Sequence, residues 1–124
     1  MYRQVIITLL ICLCFLSCKK NGTGGQADIS ASVIHHIKPI PYATIYIKYG
    51  AKDFPGTNPS NYNNAVKTDA GGHADISGLR YGDYYLYGVG YDSSIMMPVT
   101  GGDHLQIKWS DRKKTIPFTV PVTE

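Results

Sequence analysis

No cysteine follows Cys18: all three, Cys12, Cys14 and Cys18, sit near the start of this 124-residue chain, so no disulfide can staple whatever folds after them. The apolar stretch at residues 5–16 (VIITLLICLCFL) is broken only by Thr8, yet it falls short of the roughly 20 residues a membrane-spanning helix needs. From residue 27 onward no helical repeat of apolar positions occurs. No glycine loop opens a helix and no activated-nucleophile motif is present, which leaves nucleotide binding and covalent catalysis without support. Only 17% of residues are charged, and the net charge of +3 belongs partly to the leader, so nucleic acid is not an expected partner. The basic run Asp111-Arg112-Lys113-Lys114 reads as a solvated hairpin turn. There is no H-x-H pair, and His35 and His36 are adjacent on an expected strand, where their side chains point to opposite faces and cannot share one metal without distortion. Neither a catalytic residue nor a metal site is therefore expected.

What is present fits one globular domain behind an export signal. A hydrophobic share of 44% over this length builds a single core. Met1 to Gln4 with Arg3, followed by the short apolar run, is a signal-peptide pattern. The stretch Phe15-Leu16-Ser17-Cys18 resembles the lipobox of bacterial lipoproteins, and the following Lys19-Lys20-Asn21 with a glycine-rich segment is similar to lipoproteins of Bacteroidetes-type bacteria. That resemblance implies a covalent lipid on Cys18, which is the only cofactor-like group expected. It also implies a bacterial cell-envelope location, at the outer membrane. Acyl chains contribute about 0.8 kcal/mol per buried methylene, so two or three make attachment effectively permanent. The expected division is a signal peptide at 1–17, a lipidated cysteine with a flexible tether at 18–26, and a β-sandwich domain at 27–124.

Alternation over short segments bounded by Gly, Pro, Asn and Asp predicts strands near 28–37, 42–49, 64–68, 73–77, 83–91, 95–100, 104–109 and 114–122. Seven to eight short strands in about 100 residues make an all-β, two-sheet sandwich. Asp69-Ala70-Gly71-Gly72 is expected to close a hairpin, since an Asp side chain can cap a turn and glycine tolerates positive φ. Three stretches then carry a family resemblance: Pro39 to Ile47 (PIPYATIYI), Thr68 to His73 (TDAGGH) and Gly78 to Leu86 (GLRYGDYYL), with Gly90-Tyr91-Asp92 after them. They resemble the carboxypeptidase-regulatory-like family of the transthyretin-like (prealbumin) superfamily over roughly residues 27–100. The resemblance implies an Ig-like Greek-key sandwich. It places Tyr84 and Leu86 inside and makes the strands bearing Tyr46 and Tyr85 neighbours. Enzymes of that superfamily end in a Tyr-Arg-Gly-Ser signature or bind iron through two Tyr and two His, and this chain offers neither pattern.

Five of the ten tyrosines fall between residues 68 and 92. With the strands as neighbours, Tyr46, Tyr85 and Tyr87 form a stripe on the outer face of one sheet. Cross-strand aromatic pairing would stabilise the sheet by about 0.2–1 kcal/mol per pair. An exposed stripe would equally serve as a contact surface for a protein or a sugar ring, because tyrosine joins apolar area to a polar tip. The long connection at residues 50–63 carries Phe54 and Tyr62, and strand pairing is expected to bring it near Arg80 and Tyr81. Candidate binding residues are thus Tyr46, Tyr85, Tyr87, Phe54, Tyr62, Arg80 and Tyr81. The function they suggest is that of a non-enzymatic, lipid-anchored binding or accessory module. A carbohydrate-binding lipoprotein is the alternative, and a transthyretin-like hydrolase or metalloprotein a more distant one.

Overall fold

A computed structural model describes residues 20–124; the expected signal peptide at 1–17 and the expected lipidation site Cys18 lie outside the described residues. Strict alternation lays down the first sheet. In β1 (Thr23–His35), Ala27, Ile29, Ala31, Val33 and His35 turn inward at every second position. A short β2 (Lys38–Pro39) folds back on the end of β1, β5 (His73–Leu79) pairs with β1 antiparallel, and β8 (Thr115–Pro121) pairs with it in parallel. The second sheet runs β4 (Asn64–Lys67), β3 (Thr44–Tyr49), β6 (Gly82–Asp92), β7 (Met97–Ile107), antiparallel throughout. The protein is therefore an all-β, eight-strand sandwich of two four-stranded sheets.

The core lies between the sheets. Ala43 just ahead of β3, Ile45 and Ile47 within it, Tyr84 and Leu86 from β6, and Leu79, Val99, Ile107 and Val120 all project into it. Each fully buried aliphatic side chain stabilises the fold by about 1.5–3 kcal/mol. Tyr84 satisfies its hydroxyl inside this core. It donates to Arg80 O at 2.5 Å and accepts from Gly22 N at 2.9 Å.

Several expectations need correction. The segment 21–26, expected as a flexible tether, is built into the first sheet from Thr23 onward. Asn21 donates from its backbone to Tyr81 O at 2.8 Å, and Arg80 N donates to Gly22 O at 2.8 Å. Gly25 lies so close to the Leu79 and Arg80 backbone that no Cβ would fit, so glycine here serves close approach rather than looseness. The strands expected at 95–100 and 104–109 are one strand, β7. Its Gly101-Gly102 pair, in the gap left between those two expected strands, lets Pro121, Val122 and Leu86 pack against the strand without a Cβ in the way. The strand expected at 28–37 ends at His35, because His36 adopts φ 57° and turns the chain into β2.

The Asp69 turn forms as expected but is not a hairpin. Asp69 Oδ1 accepts from Gly71 N at 2.8 Å and His73 N at 3.0 Å, and Gly72 takes φ 75°. It joins β4 in one sheet to β5 in the other, so it is a corner between layers. Residues 111–114 likewise carry the chain from β7 across to β8 rather than closing a hairpin.

Candidate functional site

The β3–β6 ladder sets Tyr46 opposite Tyr87 and Lys48 opposite Tyr85, so the expected tyrosine stripe exists as a register. It is not exposed. Residues 50–63 fold back over this outer face and form a second, aromatic layer. The loop is anchored at both ends, by Gly50 N donating to Asp83 O at 2.7 Å and Asn63 N donating to Ile47 O at 2.9 Å. Inside it a 3-10 turn at Pro59–Asn61 is capped by Asn58, Asn61 Nδ2 donates to Pro55 O at 2.9 Å, and the Tyr62 hydroxyl donates to Gly56 O at 2.7 Å. Tyr62 stacks on Tyr87 at 5.8 Å between ring centroids with the planes 13° apart, and lies 5.5 Å from Tyr46. Phe54 sits 5.2 Å from Tyr87 and 5.9 Å from Tyr85. Tyr87 is only 5% exposed as a result, which overturns its expected role as open contact surface.

What remains open is the loop's rim. Phe54 is 50% exposed, and with Thr57, Tyr85, Tyr87, Thr100, Gly101 and Gly102 it lines a groove of about 270 Å³. A Cβ on Gly102 would stand 2.9 Å from the Tyr85 ring, so the glycine keeps room for that ring. Burial, with Tyr87 and Tyr85 adding to it, pushes the Tyr62 phenol up to about 12. Tyr85 is raised in the same direction, first by burial and then by Asp103 and Tyr87.

Arg80 and Tyr81 do not join this cluster, contrary to the expected juxtaposition. The loop starts near them, but Phe54 and Tyr62 fold onto Tyr85, Tyr87 and Tyr46. Arg80 and Tyr81 instead line a second groove of about 230 Å³ with Gly25, Gln26, Leu79, Trp109, Arg112 and Lys113. Tyr81 meets Trp109 edge-on at 4.9 Å. The Arg112 guanidinium lies 4.0 Å over the Trp109 ring and donates to Trp109 O at 2.9 Å. Trp109 and Arg112 were not among the residues expected from sequence. Their signal was there: the only tryptophan stands between Lys108 and the Arg112-Lys113-Lys114 run.

A third cluster gathers at the far end of β1. His35, 2% exposed, bonds through Nδ1 to Asp92 Oδ2 at 2.7 Å and through Nε2 to Glu124 Oε2 at 2.5 Å. Carboxylates on both nitrogens call for the doubly protonated ring, and the Asp92 bond raises the His35 pKa against the opposing effect of burial. Asp92 is held well below the usual carboxylate range by Ser94, which donates from Oγ at 2.5 Å and from N at 2.9 Å, and by His35. The expectation that His35 and His36 face apart fails because His36 has left the strand: the two ring centroids are 4.2 Å apart. Potential ligand atoms of His35, His36 and Glu124 all lie within 4.8 Å of one another.

No family model matches the chain. No curated protein matches it either. Among solved structures, the fold is similar to that of BcpA*(D312A), the major pilin subunit of Bacillus cereus, with a TM-score of 0.54 and 13% identity. The match covers 81% of this chain and 30% of the pilin chain, so this protein spans under a third of that structure's length. Identity this low speaks to the fold alone, a β-sandwich, and that is the part of the sequence resemblance the comparison upholds.

Proposed function

We propose that this protein is a non-enzymatic accessory module of the bacterial cell envelope, a transthyretin-like sandwich of carboxypeptidase-regulatory-like type held to the outer membrane by lipid on Cys18. The observation that carries this reading is the placement of the basic, aromatic groove of Arg80, Tyr81, Trp109, Arg112 and Lys113 beside Gly25 and Gln26. Gly25 and Gln26 lie near the start of β1, seven and eight residues after Cys18. An extended chain covers at most about 3.6 Å per residue, so a lipid on Cys18 would hold this end within roughly 25 Å of the bilayer. Arginine, lysine, tryptophan and tyrosine are the residue types that sit well among headgroups, with about 1 kcal/mol per basic residue against anionic lipid. The rim of the aromatic loop, with Phe54 half exposed, is then free to meet a partner.

The anchor is tested by feeding cells a labelled fatty acid and comparing the full-length protein with Cys18→Ser. Label on the wild type alone is the expected result, and an unlabelled wild type ends the lipoprotein reading. Crosslinking in the native envelope, with Phe54→Ala beside wild type, tests the partner face. A protein captured by the wild type and lost by the variant supports an accessory module. The groove's aromatic floor and the Thr57 and Thr100 hydroxyls favour one second reading, sugar binding, which would show as Phe54-dependent glycan capture instead.

A further inference from the structure

The His35 cluster has features that a purely structural clamp does not need. Its backbone is set with care. Val122 N donates to Ile34 O at 3.1 Å, and Thr123 exchanges two backbone bonds of 2.9 Å with Thr100, so Glu124 is delivered to His35 from a fixed frame. His36 takes a left-handed conformation that is uncommon outside glycine, and that turn brings its ring beside His35. Asp92 is committed elsewhere: one oxygen receives both Ser94 donors and the other receives His35 Nδ1–H. It thereby fixes the ring's orientation and leaves Nε2 as the only nitrogen of His35 able to meet a ligand.

From this geometry we infer that His35 Nε2, a ring nitrogen of His36 and the Glu124 carboxylate form a binding site for a borderline divalent cation such as Zn²⁺. Two imidazoles and one carboxylate suit Zn²⁺ in a three-ligand site with a fourth position left for water. Ligand atoms about 2.1 Å from zinc in a tetrahedron stand roughly 3.4 Å apart. The present spread of up to 4.8 Å closes to that by rotating His36 and Glu124, both on the surface, while His35 stays put. The exchange balances. The Nε2 proton now shared with Glu124 leaves to solvent, the nitrogen lone pair and the Glu124 oxygen bind the cation, and Asp92 keeps its hydrogen bond to Nδ1–H. Two carboxylates facing one imidazolium carry a net negative charge; the same two facing a neutral ring and a dication are balanced. Lys38, whose charge acts on Asp92, opposes binding. Asp92–His35–cation then forms the carboxylate–histidine–metal relay that holds zinc ligands in place elsewhere.

The test is calorimetric titration of Zn²⁺ into the untagged full chain carrying Cys12→Ser, Cys14→Ser and Cys18→Ser, so that no thiol competes. One ion per chain is expected, with binding weakened at least tenfold by His36→Gln and by Glu124→Gln. Asp92→Asn, which removes no ligand atom and alters only the partner of His35 Nδ1, should weaken binding by roughly 10–100-fold. Because His36 and Glu124 are exposed, both variants should keep the wild-type circular dichroism. Co²⁺ substituted for zinc should give the intense visible bands of a four-coordinate ion. Absence of saturable binding overturns the assignment, as does stoichiometric binding unchanged in His36→Gln and Glu124→Gln. Loss in His36→Gln with full affinity in Glu124→Gln would overturn the three-ligand site as well.

Discussion

At the scale of single residues, two tyrosines three positions apart on β6 do different work. Tyr84 points into the sandwich and spends its hydroxyl on the Arg80 carbonyl and the Gly22 amide, tying the start of β1 to the β5–β6 corner. Tyr87 points outward and is covered by Phe54 and Tyr62. The distinction matters for mutagenesis, since Tyr84→Phe keeps the ring's packing and removes only the hydrogen bonds. It leaves a buried donor and acceptor unpaired, at a cost of about 1–3 kcal/mol. The expected outcome is a lower denaturant midpoint with an unchanged slope, together with faster hydrogen exchange at Gly22. Equal exchange at Gly22 in both proteins would show that the hydroxyl does not hold this end of β1. That Tyr84 lies inside was legible from the family resemblance. That its hydroxyl seizes Gly22 was not, because the pairing spans 62 residues and depends on a segment whose glycines look like a tether.

At the scale of elements, the loop at 50–63 behaves as part of the second sheet, its ring layer lying over β3 and β6 as a lid of side chains. Tyr62 gives this a pH signature. Its phenol ionises at about 12 in the folded protein against 10 in an exposed chain, so the neutral form is the one the fold prefers. Below pH 10 both states hold the proton and stability is unaffected. Between pH 10 and about 12 the unfolded chain ionises first, and stability falls. Tyr84 and Tyr85 are raised in the same sense, so Tyr62→Phe should reduce the loss of stability over this window without abolishing it. Chemical denaturation at the two ends of the window checks this, and an unaltered pH dependence would mean that Tyr62 is solvated. Strand alternation made β1, β3 and β6 legible, because one face of each is buried and the period shows. The outer face of β3 and β6 was misjudged as open because alternation reports which residues share a face, not what lies on top of it. Gly101-Gly102 misled for a related reason: glycine that makes space for a neighbouring strand is indistinguishable in sequence from glycine that makes a turn.

At the scale of the whole molecule, β1 acts as an axle between two chemically different ends. Gly25 and Gln26 stand by the Trp109 groove, and His35, roughly 33 Å of strand away at 3.3 Å per residue, stands by Asp92 and Glu124. If lipid on Cys18 holds the first end at the membrane, the cation site faces outward, and the orientation can be read from a single fluorophore. Trp109 is the only tryptophan, is 60% exposed, and carries Arg112 on its ring. The full-length protein carrying the proposed lipid on Cys18, reconstituted into vesicles doped with brominated lipid, should lose Trp109 fluorescence when the bilayer is anionic. Much less should be lost in a zwitterionic bilayer, where only the lipid itself would hold the domain near. Replacing Arg112 and Lys113 together by glutamate should bring the anionic signal down to the zwitterionic level, and raised salt should do the same to the wild type, since exposed charges are screened within about 8 Å at physiological ionic strength. Quenching that ignores both lipid charge and the glutamate pair would leave the groove with no part in orienting the domain. The basic aromatic end would then be a feature of packing around Trp109, and the outward face would have to be found from the partner side.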